Sequence, residues 1–338
     1  MASIKEIAEL TGLSIATVSH VINGTRKVSD KSRNLVMEAI KETGYKPNYA
    51  ARMLRTRKSD TVAMLIPNVR QGMPTNIFFM DVLSGAKDYL QSVGFNLIID
   101  TYSEDDENDE GDLRNLKVLR DQWIDGFLVV PNKKKTAIVK NIMDNNNPCV
   151  LLDRAIKELE CPCVYNDTIK ISREVIEVFY GEGKRRIGYI GGSLSSFTGY
   201  DRWTGYKQGL EECGLEYDER LISVSELHTV KNGYNSTEKL MEENVDAIYV
   251  SNDVQAIGVL KCLKEKNIKI GEEIAVIGFE NYEWMEICSP GLTTVSQKPY
   301  EMGKIGAQIL HKILENEKYD KKVILNPEII FRESHKSK

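Results

Sequence analysis

Two groups of residues in this chain have types and spacings suited to recognition rather than to bond making. The first is the run from Ser14 to Asn23. There Ile15, Ala16, Ser19, His20 and Asn23 recur three and four apart and share one helical face, while Val18, Val21 and Ile22 share another. The apolar face packs. The other is open to solvent or to base edges, which Ile15, Ala16 and His20 would meet. The second group is dispersed: Phe78, Phe79, Asp153, Arg154, Arg202, Asn252, Asp253, Glu280 and Trp284. Most follow apolar, strand-like runs. Aromatic faces stack on sugars or bases, and carboxylates and guanidinium forks bind hydroxyl pairs or a carboxylate, so this set suits a small polar ligand. For Phe79 and Asp153 a surface or capping role stays open, and Trp284 serves equally well as core.

Catalytic and metal patterns are missing. The four histidines, His20, His228, His311 and His335, are dispersed and form neither an HExxH pair nor a triad with a Gly-x-Ser-x-Gly elbow. The glycines at 188, 191 and 192 lack the dinucleotide fingerprint, and phosphate-loop spacing is absent. Six cysteines are scattered, with only Cys161-Pro162-Cys163 close-spaced and no histidine nearby, so reduced thiols are expected, with neither metal nor cofactor.

The elements that would position the first group are legible. Ser3-Ile4-Lys5-Glu6 has the form of a capping box, which starts a helix at about Ile4, and Gly12 can take the left-handed conformation that ends it. Helix, tight turn, helix follows. The small Ala8 lets the two helices cross closely. A third helix is expected after Ser29, with Leu35, Val36, Ala39 and Ile40 inward, stopped by Gly44 and Pro47. Residues 1–60 carry eleven Lys and Arg against six Asp and Glu, whereas the remainder carries 34 against 44. A basic head on an acidic body is the footprint of a phosphate-binding module joined to a domain that does not bind phosphate.

Ile4-Lys5-Glu6-Ile7-Ala8, Thr17-Val18-Ser19, Val21-Ile22-Asn23-Gly24, Val28-Ser29, Gly44-Tyr45-Lys46-Pro47-Asn48 and Ala51-Arg52-Met53-Leu54 together resemble the head of the LacI/GalR family. The resemblance adds Thr17 to the DNA-facing set. It also implies a short hinge helix near Tyr49 to Arg57 that orders when two copies meet in the minor groove. Arg52 and Arg55 would lie there beside the duplex, and Leu54 would wedge into a base step. The family also implies a homodimer on a pseudo-palindromic operator and a sugar-like effector, bound by positions matching Arg202, Asp253 and Glu280. This chain departs from the family at Gly278-Phe279-Glu280-Asn281, where Gly-Phe-Asp-Asp is usual, at Asp167-Thr168, where Asp-Asn is usual, and at Ile171, where Gly is common. Effector identity is therefore not inherited.

Behind the head, apolar runs at Val62–Ile66, Asn96–Ile99, Phe127–Val130, Val150–Leu152, Ile187–Ile190, Ala247–Val250 and Ala275–Ile277 alternate with helical stretches at Asp81–Ser92, Ile171–Tyr180, Trp203–Cys213 and Val254–Glu265. Continuous apolar strands between helices predict an α/β fold with parallel sheets covered on both faces. By resemblance the body is two-lobed, like type I periplasmic binding proteins, with three crossings. The expected limits are 1–47 for the helix-turn-helix head, 48–60 for the hinge, and 61–338 for the body. Lobe 1 would comprise about 61–164 and 292–325, and lobe 2 about 165–291 and 326–338. Seven carboxylates in residues 104–112 read as a solvated loop. Hydrophobic content is 41%, no run is long enough to span a membrane, and no apolar signal core opens the chain, which together predict a cytoplasmic protein. A solute-binding protein or α/β enzyme with an incidental helical cap is the alternative, and the basic helix-turn-helix argues against it.

Overall fold

The computed structural model describes residues 3–23, 26–45, 58–68, 77–103, 116–120, 123–131, 137–156 and 158–336. The chain divides into two compact units, Met1–Ser59 and Asp60–Lys338.

In the first unit, α1 (Ile4–Thr11), α2 (Ile15–Asn23) and α3 (Asp30–Thr43) enclose a small core of Ile7, Ala8, Val18, Val36 and Ala39. Each boundary has a local cause. Ser3 and Glu6 form the reciprocal capping box, Gly12 ends α1 at φ 67°, Ser29 caps α3 through the Ser32 amide, and Gly44 ends it at φ 61°. Leu35 departs from expectation. It is 39% exposed because the inward stripe of α3 runs through Val36 and Ala39, one position round the helix. Ser3→Ala should lower the stability of α1 by about 1 kcal/mol, read as faster amide exchange across residues 4–11 than across α3.

The second unit holds two six-stranded sheets. The first contains β1 (Thr61–Asn68), β2 (Asn96–Ser103), β3 (Gly126–Val129), β4 (Cys149–Asp153), β5 (Cys163–Asn166) and β11 (Lys322–Leu325), all parallel, in the order β11-β5-β4-β3-β1-β2. The second contains β6 (Ile187–Gly192), β7 (Ile222–Ser225), β8 (Ala247–Val250), β9 (Ala275–Phe279), β10 (Thr293–Ser296) and β12 (Glu328–Ile330), in the order β12-β10-β9-β8-β6-β7, with only β12 antiparallel.

Because side chains alternate along a strand, each sheet supplies two cores. Val62, Met64, Leu128, Val150 and Leu152 face one cluster, and Ala63, Leu65, Phe127, Val129 and Leu151 the other. Tyr189, Tyr249 and Ile277 likewise oppose Ile190, Ile248 and Val276 in the second sheet. The connecting helices are α4 (Ile77–Ser92), α5 (Lys117–Arg120), α6 (Ala137–Asp144), α7 (Thr168–Gly181), α8 (Phe197–Glu212), α9 (Val230–Glu242), α10 (Asp253–Glu265), α11 (Glu283–Ile287) and α12 (Pro299–Leu314). No described helix is long and apolar enough to cross a membrane.

The chain passes between the sheets after Asn166, after Ser296 and after Leu325, which makes three crossings. The expected return to lobe 1 near residue 292 is corrected here. Thr293–Ser296 pairs with β9 and β12 in the second sheet, and the return falls at Gln297–Lys298. Lys298 takes a left-handed turn at φ 56° before Pro299 opens α12, whose Met302, Ala307 and Leu310 pack on the first sheet. The strand β5 likewise keeps Asn166 in the first sheet, past the expected limit at 164.

Candidate functional site

The surface of α2 carries the first set of candidates. Ser14 accepts the Thr17 amide at 3.1 Å and meets its hydroxyl at 2.8 Å, so Thr17 is held at the helix start. Val18 is fully buried, and Val21 and Ile22 lean on the same small core. That orientation leaves Ile15, at 47% exposure, and Ala16 outward, with Ser19 and His20 half-buried. Asn23 closes the helix, and its side chain lies outside the described residues, as do Arg52, Leu54, Arg55 and the acidic stretch 104–112.

In the body, the polar members of the second set gather at the carboxyl ends of the strands, where clefts of parallel sheets open. Arg202 lies in the second turn of α8 with 9% of its surface exposed. Its Nη1 donates to the Ser251 carbonyl at 2.5 Å, its Nη2 stands 3.6 Å from Glu280 Oε1, and its guanidinium carbon sits 3.8 Å over the Phe279 ring. Glu280 follows β9 at a left-handed φ of 83° and is 8% exposed. Its Oε1 accepts a hydrogen bond from Gln297 Nε2, and Gln297 Oε1 accepts from Asn166 Nδ2 at 3.4 Å. A continuous polar chain thus runs from the cleft into two of the crossings.

Asn252 caps α10 through its side-chain oxygen, which accepts the Val254 and Gln255 amides, and its amide meets His228 Nδ1 at 3.2 Å. Asp253 begins that helix. Arg154 comes from the first lobe, where it pairs with Asp153 at 2.5 Å and lies 5.4 Å from the Phe197 ring at the start of α8. The structure therefore brings Arg202, Glu280, Asn252 and Asp253 together and sets Arg154 against the second lobe.

The aromatic candidates pack into the cores. Phe78 and Phe79 sit in the first turn of α4, which starts four residues earlier than the sequence pattern suggests, and both rings are buried in the first-sheet core. Trp284, on α11, leans on the cluster around Met285 and Leu292. Sequence reasoning missed His228, Tyr282, Gln297 and Asn166. Tyr282 had a signal, being two residues beyond Glu280. The backbone of Phe78 approaches its phenol from the first lobe, and burial with the Glu280 and Asp253 charges pushes that phenol well up.

The electrostatics follow from enclosure. Burial raises Glu280 from 4.5 to about 7, against the pull of Arg202 and with help from Asp253 and Asp153. Burial also raises Asp253, which the amides of its own helix start and Arg202 oppose. His228 keeps an open side, yet its ring is crowded: a Cβ on Gly192 would come within 2.4 Å of Nε2. Desolvation first, then the Arg202 charge, lowers its imidazole to about 4.

The two shifts oppose each other in stability. Glu280 binds its proton more tightly folded than unfolded, so its contribution is complete below 4.5 and is lost as pH rises to about 7, on the order of 3 kcal/mol at full effect. His228 is depressed, so its contribution is present above 6.5 and is lost as pH falls to about 4. Between pH 4.5 and 6.5 they act in opposite directions in the wild type. Relative to the wild type, Glu280→Gln should gain stability as pH rises through that window and His228→Asn should lose it, measured by urea unfolding. Parallel profiles for all three proteins would contradict these shifts.

Among the described residues no group of three or more His, Cys, Asp or Glu is arranged to hold a metal. The arrangement presents hydrogen-bonding groups, aromatic faces and paired charges.

Comparisons with known proteins agree with both units. Residues 3–48 match the family described as bacterial regulatory proteins, lacI family, and residues 176–335 match the periplasmic binding protein-like domain. The chain is 30% identical over 336 residues to the HTH-type transcriptional regulator RegA of Clostridium saccharobutylicum, covering 98% of each. It is 30% identical over 341 residues to the HTH-type transcriptional repressor PurR of Vibrio atlanticus, covering 100% of this chain and 99% of the relative. Among solved structures, a complex of the transcriptional regulator CelR with cellobiose superposes with a TM-score of 0.73 at 28% identity, covering 99% of this chain and 100% of that one. A lac repressor dimer bound to operator and the anti-inducer ONPF superposes with a TM-score of 0.84 at 20% identity over 99% of both chains, which shows the shared fold. With a helix-turn-helix head, a two-sheet body and a 30% identical relative matched end to end, this chain belongs to the LacI family of bacterial regulatory proteins.

Proposed function

We propose that this chain is a sequence-specific DNA-binding transcription regulator, acting as a repressor, whose operator affinity is set by a small polar effector bound between its lobes. The chemistry is binding without turnover. The observation that carries the reading is the pairing of an exposed Ile15-Ala16 helix face in a basic head with the enclosed Arg202-Glu280-Asp253 group in the body. A homodimer would set two such helices on the half-sites of a pseudo-palindrome. The named cellobiose complex of a relative supports a carbohydrate-like effector. Hydroxyl-rich ligands also match the mixture of acids, amides and guanidinium groups in the cleft. The Glu280-Gln297-Asn166 chain supports coupling, because a ligand that engages Glu280 pulls on the two crossings about which the lobes close.

Selection from a random-sequence duplex pool tests this. The expected product is an inverted repeat bound by the full chain; enrichment of no sequence would count against an operator. Leu54→Ala should lose on the order of tenfold or more in affinity for that repeat, and lose duplex bending, while keeping salt-dependent nonspecific binding, because partial unstacking by an apolar wedge costs a few kcal/mol that only added contacts repay. Wild-type bending in circularly permuted gel shifts would remove Leu54 from that role.

A further inference from the structure

One face of the first sheet carries three thiols. In the parallel pairing of β4 with β5, Leu151 lies opposite Cys163, and two residues further back on the two chains stand Cys149 and Cys161. The Leu151 amide donates to the Pro162 carbonyl at 2.8 Å and ties the two chains together beside Cys161. All three cysteines are free, no more than 9% exposed, and set in the same apolar cluster. Cα atoms on neighbouring strands stand about 5 Å apart, within the span that a disulfide bridges. The Cys161 thiol donates to the Cys149 carbonyl at 3.4 Å, which sets the two side chains beside one another. The contact is asymmetric. The neighbouring Cys161 and burial push the Cys149 thiol well up. Cys161 stands before β5 and is the more exposed of the two, at 9% against 5%, so it is the thiol that meets an oxidant first, with Cys149 as the resolving partner. Burial raises the Cys163 thiol.

We propose that Cys149 and Cys161 form a dithiol modification site that closes to a disulfide when it meets hydrogen peroxide. The Cys161 thiolate attacks one peroxide oxygen and the O–O bond breaks, leaving a sulfenic acid on Cys161 and a hydroxide that takes up the thiol's released proton as water. The Cys149 sulfur then displaces the sulfenic oxygen. The S–S bond forms, and that oxygen departs with the Cys149 proton as a second water, so the two sulfurs supply the two electrons that reduce the peroxide. The segment so closed, residues 149–161, includes Asp153 and Arg154, and Arg154 reaches Phe197 of the second lobe. Oxidation thus pins the base of the segment by which the first lobe touches the cleft. This inference is independent of which DNA or effector the protein binds.

The test treats the native full chain with hydrogen peroxide, alkylates the remaining thiols and maps the peptides without reduction. The expected product joins Cys149 to Cys161 with loss of two hydrogens, reverts under a dithiol reductant, and leaves Cys213, Cys262 and Cys288 unlinked. Cys149→Ser should instead accumulate a sulfenic acid on Cys161 that dimedone traps. A link through Cys163, or full alkylation of Cys149 and Cys161 after peroxide, would overturn the proposal. So would a link that forms only in urea. The wild-type map decides between these outcomes even if the serine variant does not fold.

Discussion

Arg202→Ala should weaken effector binding about a hundredfold or more and cost the body about 3 kcal/mol of stability, because one truncation strips partners from several buried groups at once. The Ser251 carbonyl loses its donor, Glu280 loses the cation 3.6 Å away, and the Phe279 face loses its covering guanidinium. Glu280, already raised to about 7, would rise further and take up a proton at neutral pH, which limits the damage to the fold but leaves the ligand without a charge-assisted donor. Lysine should not restore the site, since a point charge does not replace a planar fork that serves a carbonyl and a carboxylate together. Calorimetry with the effector and urea unfolding of the same sample read the two effects. Operator affinity without effector should stay at the wild-type value. Wild-type effector affinity in the variant would remove Arg202 from the site.

Gly303→Ala should destabilise the first lobe by about 3 kcal/mol, although it adds one methyl group. A Cβ at Gly303 would come within 1.8 Å of the Val82 carbonyl oxygen, and one at Gly85 within 2.0 Å of the Tyr300 carbonyl oxygen. The helices α4 and α12 therefore meet backbone to backbone through reciprocal glycines. Main chain cannot swing aside as a flexible side chain would. Gly181→Ala is the control: nothing lies within 4 Å of its added carbon, and the change should be neutral or stabilising by about 0.5 kcal/mol. Equal urea midpoints for the two variants would contradict that close crossing.

The parts of the fold legible in the sequence were those where local chemistry and packing agree. Ser3, Gly12, Ser29 and Gly44 act as caps where their residue types predict, and the central strands are apolar throughout because helices cover both faces. The strands that escaped notice are short or lie toward sheet edges. Ile222–Ser225 and Glu328–Ile330 carry partly exposed, polar-interrupted runs, and Thr293–Ser296 is buried through threonines whose hydroxyls find partners in Glu280 and His335. In the cleft, Arg202, Asp253 and Glu280 were legible because they sit at strand ends or early in helices where the family resemblance places them. Gln297 and Asn166 were not, since their importance comes from two crossings meeting, which no periodicity encodes. The start of α4 one turn early was not legible either, and it sets Phe78 and Phe79 in the first-sheet core.

DNA binding by the basic head is measured most directly by a salt titration of duplex affinity. For the full chain, the logarithm of the association constant should fall linearly and steeply with the logarithm of salt concentration, as several phosphate contacts release counterions. The chain beginning at Asp60, which forms its own compact unit, should show no duplex binding at any salt concentration. Absence of duplex binding by the full chain at low ionic strength, with and without candidate sugars, would contradict the account, as would equal binding by the chain that begins at Asp60.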